Sequence, residues 1–326
     1  MTKTEISSTK IDIVYTYVDG NDPKFLNNLN KYKNHGLGKK LTTNNPKLRY
    51  ESLDEILYSL RSVFKFASFV NKVFIVTYDQ KPKYESTIEK YFPERIDDIK
   101  IVDHKDLFGE YPEIYPTFNS ESIETFLWKI PDLSENFVYF NDDLLLLRHI
   151  KVEDWFSNKG PVNLGKWKLG KIFKYNKFKK RIEKGLDIPL NYTYRQYRGA
   201  RFFGYKYVFL YLGHCPRAFS KSILKELFEA NKETILKNAA HRFRVANSFS
   251  IISYFVAGQL KFTKTLPKFE KELYIDFSNK KSSYLKKKIQ LLKNNTSKKY
   301  LCLQSLSNAN ESIIQLVESI LEEKLN

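Results

Sequence analysis

The sequence predicts an α/β fold, a mostly parallel sheet covered by helices on both faces, and three observations carry that prediction. Short β-branched and aromatic runs recur at Ile11–Tyr17, Lys72–Thr77, Ile99–Asp103 and Phe137–Asn141. Segments with helical spacing of apolar residues lie between them, and strands that alternate with helices build parallel sheets. Three of the runs end in polar, turn-forming residues, where an open sheet presents its loops. With 326 residues the chain can build one large domain, or one domain and a lobe.

The first strand, Ile11 to Tyr17, closes in Val18-Asp19-Gly20-Asn21-Asp22-Pro23. Two Asp, one Asn and a flexible Gly at a strand's carboxyl end stand where open α/β sheets bind ligands. The same residues also make an ordinary strand-to-helix turn. Lys24 to Asn45 is polar and Lys-rich, which predicts a helix and then a mobile connection. From Ser52 the pattern is helical: Ser52 with Glu55 reads as a capping box, and Leu53, Ile56, Leu57, Leu60, Val63 and Phe64 form one apolar stripe. Arg61 sits inside that stripe, where it either snorkels or reaches a phosphate at the sheet. Lys72–Thr77 is the second strand, followed by the polar turn Tyr78-Asp79-Gln80-Lys81-Pro82. Tyr84–Tyr91 reads as a short helix, Ile99–Asp103 as the third strand, and Asn119–Ile130 as a further helix.

That helix leads through Pro131 into Phe137-Val138-Tyr139-Phe140, and this run drives straight into Asn141, Asp142 and Asp143, with four leucines after them. It reads as a buried strand ending in two carboxylates. Adjacent charges between apolar runs are costly to bury unless a cation or donors meet them, so a hard divalent metal carrying a phosphate is one reading. A solvated turn capping the next element is the other.

Beyond Trp155 the character changes. Lys166–Lys184 holds nine Lys or Arg against one Glu, and Tyr192–Tyr211 interleaves nine aromatics with Arg195, Arg198, Arg201 and Lys206. Such a mixture suits nucleic-acid strands, phosphorylated sugars, or a basic surface whose aromatics turn to the core. Leu212-Gly213-His214-Cys215-Pro216 is a tight turn that can aim His214 into a cleft. Helices follow at Lys221–Ala230 and, after Ala239-Ala240-His241-Arg242-Phe243-Arg244, at Phe249–Leu260. Lys280–Lys299 reads as a basic polar spacer and Asn308–Leu325 as a capped amphipathic helix. The division expected is 1–157 for the first part of the catalytic domain, 158–211 for a basic aromatic-rich lobe, 212–275 for the second part, and 276–326 for the spacer and C-terminal helix.

Composition narrows the classes. A 15% aromatic and 42% hydrophobic content excludes a disordered chain, and a formal charge of +18 favours polyanionic partners. Two cysteines, Cys215 and Cys302, without metal-type neighbours argue against a zinc ribbon and a disulfide framework. The first ten residues lack an apolar core and no run of about 18 apolar residues occurs, so a cytosolic protein is expected.

Four separated blocks give the chain a resemblance to the Stealth-family sugar-phosphate transferases, the bacterial capsular polysaccharide phosphotransferases related to the animal GlcNAc-phosphotransferase catalytic subunit. Ile11–Pro23 is similar to the first conserved block. Tyr58–Val63, Val73–Gln80, Pro116–Ser120, Ile123-Glu124, Ile130-Pro131 and Phe140–Asp143 resemble the second. His214-Cys215-Pro216 and His241–Arg244 resemble the third, and Tyr300–Leu303 is the candidate for the fourth. The chain departs at Leu57, where an Arg is usual, leaving Arg49 or Arg61 for any cationic work there, and at Val245–Ser248.

The resemblance implies a Rossmann-like or GT-A-like sheet. It also implies transfer of sugar-1-phosphate from a nucleotide-diphosphate sugar, of the UDP-GlcNAc type, to a hydroxyl of a growing capsular or surface polysaccharide, with release of nucleoside monophosphate. A glycosyltransferase releasing nucleoside diphosphate is the alternative. A nucleic-acid-binding module, a third class, leaves the acidic loop of Asp19 and Asp22 unexplained, and no nucleic acid is expected as a partner. On the sugar-phosphate reading Asp142 and Asp143 hold Mg²⁺ or Mn²⁺, His214 is the general base with an Asp as its competitor, and Arg61 and Arg244 neutralise phosphate. Tyr17, Val18, Asp19, Gly20, Asn21, Asp22, Arg49, Gln80, Asn119 and His241 complete the substrate site. The partners implied are the donor, an anionic polysaccharide acceptor and, by peripheral association at the inner face of the cell membrane, membrane-bound capsule machinery.

Overall fold

Alternation along four parallel strands organises the molecule. In the computed structural model, which describes residues 10–36, 53–170, 192–245, 248–270, 272–279, 281–294 and 297–326, Val14, Phe74, Val76, Val102, Phe137 and Tyr139 face one core. Ile13, Tyr15, Val73, Ile75, Val138 and Phe140 face another. Successive strand residues point to opposite faces, so a sheet with apolar residues at every position must be covered on both. The expected α/β class is therefore the observed one.

In chain order the elements are β1 (Ile11–Thr16), α1 (Pro23–Gly36), α2 (Glu55–Phe66), β2 (Val73–Thr77), α3 (Glu85–Tyr91), β3 (Ile99–Asp103), α4 (His104–Phe108), α5 (Ser120–Glu124), β4 (Asn136–Asn141) and β5 (Leu144–Leu146). After them come α6 (Val152–Trp155), β6 (Phe156–Ser157), β7 (Gly160–Pro161), β8 (Lys166–Leu169), α7 (Tyr192–Arg201), β9 (Val208–Tyr211), β10 (Arg217–Ser220), α8 (Lys221–Ala230), α9 (Lys232–Ala239) and α10 (Ile251–Thr263). The last are β11 (Leu273–Asp276), α11 (Ser282–Asn294), β12 (Tyr300–Gln304) and α12 (Glu311–Leu325). The main sheet has the order β10-β4-β1-β2-β3. β1, β2, β3 and β4 run parallel and β10 runs against β4. Helices α2 and α3 cover one face through Ile56, Leu60, Val63 and Ile88. Helices α4, α8 and α10 cover the other through Leu107, Ile223, Leu227, Phe228 and Phe255.

Three expectations are corrected. The helix expected over Asn119–Ile130 is broken into α5 and a single 3₁₀ turn at Leu127–Lys129. The segment read as a basic spacer contains α11, whose Ile289 and Leu292 are buried. With β11, β12 and α12 it builds a small second unit around Ile275, Leu301, Leu303, Val317 and Leu321. The start of α2 is set by Asp54, in left-handed backbone at φ 59°, while Glu55 turns its carboxylate onto the Leu53 N–H. Ser52 and the connection up to Asn45 lie outside the described residues, as does most of the basic stretch Lys166–Lys184. The basic, aromatic region has its described part in the β8–β9 ribbon and α7, which packs on α10 through Gly199. A Cβ there would stand 2.5 Å from the Ser250 carbonyl oxygen, so glycine permits the approach. Glu121 of α5 and Arg195 of α7 form a buried ion pair that ties this region to the sheet. No helix among the described residues is long and apolar enough to cross a membrane.

Two buried polar side chains set a reference for the site. Asp12 of β1, fully buried, accepts hydrogen bonds from Asn71 Nδ2 at 2.8 Å, Lys72 N at 3.0 Å and Ser134 N at 2.7 Å. A carboxylate supplied with three donors is a stable buried group. His104 is the opposite case: neither ring nitrogen has a partner, and burial pushes its pKa down to about 4. The neutral imidazole is favoured by folding, so His104's contribution is complete above pH 6.5 and is lost as the pH falls from there toward 4. The loss should reach about 3 kcal/mol. Denaturant unfolding of wild type and His104→Leu between pH 7 and 4 checks this: wild type should lose stability relative to the variant as the pH falls, and a pH-independent difference would refute it.

Candidate functional site

The strand order creates the site. From β1 the chain crosses to β2 on one side and later returns to β4 on the other, so the loops leaving the carboxyl ends of β1 and β4 diverge and open a crevice. Thr16 pairs with Asn141, which puts Tyr17–Asp22 beside Asp142-Asp143. β10 runs the other way with Arg217 opposite Tyr139, so the chain enters it at this same edge, and His214-Cys215-Pro216 immediately precede it. Three segments far apart in sequence thus meet at one edge.

Asp142 and Asp143 form the tight turn between β4 and β5 and are half-buried. Both carboxyls are pushed above the ordinary range. For Asp142 burial is the main cause, followed by the charges of Asp143 and Glu55; for Asp143 it is again burial, with Glu55 adding to it. The opposing influences are backbone N–H groups and the Cys302 thiol, which donates to Asp143 Oδ2 at 3.4 Å. Asp143 Oδ1 is buried without a hydrogen-bond partner. Asp12 shows how this chain satisfies a structural carboxylate, and the pair at the end of β4 is not satisfied that way.

Such a pair fits a divalent cation. Mg²⁺ takes one or two carboxylates and fills its remaining positions with water and substrate phosphate. Among the described residues no three His, Cys, Asp or Glu side chains converge closely enough to cage an ion by themselves.

The His214 turn is held by Glu272, whose carboxylate accepts from the His214 backbone N–H at 3.0 Å and lies 3.8 Å from Cys215 Sγ. Gly213 leaves room for the carboxylate: a Cβ there would lie 2.6 Å from Glu272 Oε1, and the Glu272 side chain would have to shift. The imidazole stacks on Tyr274, with ring centroids 4.5 Å apart at 26°. Burial first, and the Arg217 guanidinium second, lower its pKa against the pull of Glu272 and Asp276, so the ring is neutral at neutral pH. Arg217 folds back to donate to the carbonyls of Gly213 and Pro216. The Tyr274 hydroxyl is pushed up chiefly by burial, then by Asp276 and Cys302, with Asp143 a smaller contribution.

The remaining candidates divide by what their side chains touch. Gln80 donates to the Asp19 carbonyl at 2.9 Å and accepts from the Asp19 N–H at 3.0 Å, so it sets the loop's shape. Asp19 Oδ1 accepts from Asn21 N, and Asp22 Oδ1 accepts from Phe25 N at the start of α1. Tyr17 and Gly20 are buried, while Val18 packs beside Phe25, Tyr78 and Phe118. Asn119, fully buried, caps α5 and donates to the His241 carbonyl at 3.0 Å. Arg244 reaches Ser120 Oγ at 2.8 Å and keeps a buried, unpartnered Nε. Arg49 lies outside the described residues.

Arg61 is not brought to this edge. Its guanidinium meets Glu322 of α12 at 2.5 and 3.0 Å, reaches Asn326 at 3.1 Å and lies 3.7 Å from the Tyr91 ring centroid. It takes the helix face turned toward α12 because α12 offers a carboxylate there, 261 residues away in sequence. Glu55, Arg217, Glu272 and Cys302 join the site without having been singled out for it. The Arg directly after His214-Cys215-Pro216 was the readable signal for one of them, and Glu55, whose charge raises both carboxyl pKa values, was masked by its reading as a cap.

Models of Stealth protein conserved region 1 and conserved region 2 match residues 9–36 and 49–164. The Haemophilus influenzae capsular polysaccharide phosphotransferase fcs1 is 30% identical over 311 residues, 92% of this chain and 79% of that protein. This chain belongs to the Stealth family. The matched regions of this Stealth protein contain the Asp19 loop, Gln80 and the acid pair, whereas the His214 turn lies beyond them. Actinobacillus pleuropneumoniae capsular polysaccharide phosphotransferase cps1A is 38% identical over 164 residues, which are 50% of this chain and 42% of cps1A, so the match spans less than half of that relative. Among solved structures, the galactosyltransferase LgtC with donor and acceptor sugar analogues aligns over 94% of this chain and 95% of its own, at 10% identity and a TM-score of 0.45.

Replacing Arg61 separates its two roles. Arg61→Met should lower the melting temperature by several degrees, about 1–2 kcal/mol because Glu322 is partly solvated, and should leave the affinity for a nucleotide-sugar donor within twofold of wild type. A tenfold loss of donor affinity at unchanged melting temperature would restore the phosphate-binding role.

Proposed function

We propose that this protein transfers a sugar-1-phosphate from a nucleotide-diphosphate sugar to a hydroxyl of a surface polysaccharide. The observation that carries this reading is the meeting of an under-neutralised acid pair and a neutral, half-buried histidine at the β1/β4 crevice. Family membership, and relatives named capsular polysaccharide phosphotransferases, support it. A bound Mg²⁺ or Mn²⁺ would supply neutralisation of the diphosphate oxygens, and Asp142 and Asp143 would hold it.

The chain's own groups account for the rest. His214, neutral at working pH, takes the proton of the acceptor hydroxyl. The acceptor oxygen bonds to the phosphorus that carries the sugar as the bond from that phosphorus to the bridging oxygen breaks. The products are a phosphodiester and a nucleoside monophosphate. Glu272 fixes the histidine's backbone and Tyr274 fixes its ring plane, which keeps the base aimed with little reorganisation. Arg244, already anchored on Ser120, offers its unpartnered Nε to phosphate oxygen. Gln80 holds the Asp19 loop in shape for the nucleotide half of the donor. The basic surface suits an anionic acceptor and, beside it, an anionic membrane face.

Incubation with a panel of nucleotide sugars and a short capsule oligomer, followed by identification of the released nucleotide, tests the reaction. Nucleoside monophosphate is expected; nucleoside diphosphate would mean glycosyl transfer instead. His214→Ala should bind donor normally and lose at least a hundredfold in kcat, on the order of what a general base contributes. Near-normal turnover would remove the histidine from that role.

A further inference from the structure

We propose that Cys302 is a positioning residue for Asp143, holding one carboxylate oxygen so that the other is left without a protein partner as a ligand position for the divalent cation. This rests on the metal-binding reading above. β12 runs antiparallel to β5 with Cys302 opposite Leu144, so the strand lies directly beside the acid turn. It grips Asp143 at two points: Leu303 N donates to the Asp143 carbonyl at 3.0 Å, and Cys302 Sγ donates to Oδ2 at 3.4 Å. Cys302 is fully buried, so water does not compete for the thiol. Oδ1 is left buried and unpartnered, a costly state for a carboxylate oxygen in a finished structural contact and a suitable one for a ligand position.

A thiol is a weak donor. It can therefore orient Oδ2 without drawing as much charge from the carboxylate as an ammonium or guanidinium would, and the carboxylate keeps its strength as a ligand. Groups behind the direct ligands that orient them in this way typically change metal affinity by about 10- to 100-fold when removed.

The competing account is that Cys302 simply fills space in the strand, and three replacements tell them apart. Cys302→Ser keeps a donor; Cys302→Ala removes it, and Cys302→Val removes it while filling the volume. Mn²⁺ binding to the full chain, read by electron paramagnetic resonance in the presence of a nucleotide sugar, should weaken about tenfold in the Ala and Val variants and stay within about threefold of wild type in Ser. The Mg²⁺ concentration giving half-maximal turnover should rise in parallel, with kcat at saturating Mg²⁺ nearly preserved. Equal Mn²⁺ affinity in wild type, Ala and Val would overturn the positioning role, as would equal weakening in Ser and Val. Absence of Mn²⁺ binding to wild type would instead overturn the metal reading, and this inference with it.

Discussion

Negative charge gathered at the end of β4, opposed by local backbone N–H groups and a thiol, is the constraint around which the rest of the protein makes sense. Asp142, Asp143 and Glu55 repel one another in a half-buried setting. Folding tolerates the arrangement because the strand beneath it is anchored on both faces by Phe137, Val138, Tyr139 and Phe140, all buried. Core packing worth several kcal/mol per large side chain holds in place a turn that would not choose this geometry unaided.

Around the pair, most polar residues serve to hold others. Gln80 shapes the Asp19 loop, Glu272 the His214 turn, Asn119 the His241 carbonyl and Ser120 the Arg244 guanidinium. Each links segments distant in sequence, so the crevice is assembled by side-chain hydrogen bonds between loops on a rigid sheet, three of these four to backbone. Loops carry the reacting groups and the sheet carries their precision.

How much was legible follows from where each signal lies. The four parallel strands were readable because full burial leaves runs of β-branched and aromatic residues, and the acid pair was readable because charge interrupts such a run. The order of the strands and the edge on which His214 arrives came only with the fold. Arg61 was misplaced because its partner, Glu322, stands at the far end of the chain, and helical spacing says nothing of what a helix will meet. The spacer proved helical because Ile289 and Leu292 are too few to show a stripe amid lysines. Asn119 looked like a ligand group, yet it caps a helix; local chemistry of that kind serves either purpose equally well.

The pairing of β12 with β5 carries a consequence for biosynthesis. Asp143 and the thiol that holds it are separated by 159 residues. Chains fold from the amino terminus as they leave the ribosome, so the sheet and both acids emerge long before the strand that orients them. A nascent chain would therefore carry an acid turn that lacks its β12 contacts until the C-terminal unit docks on it.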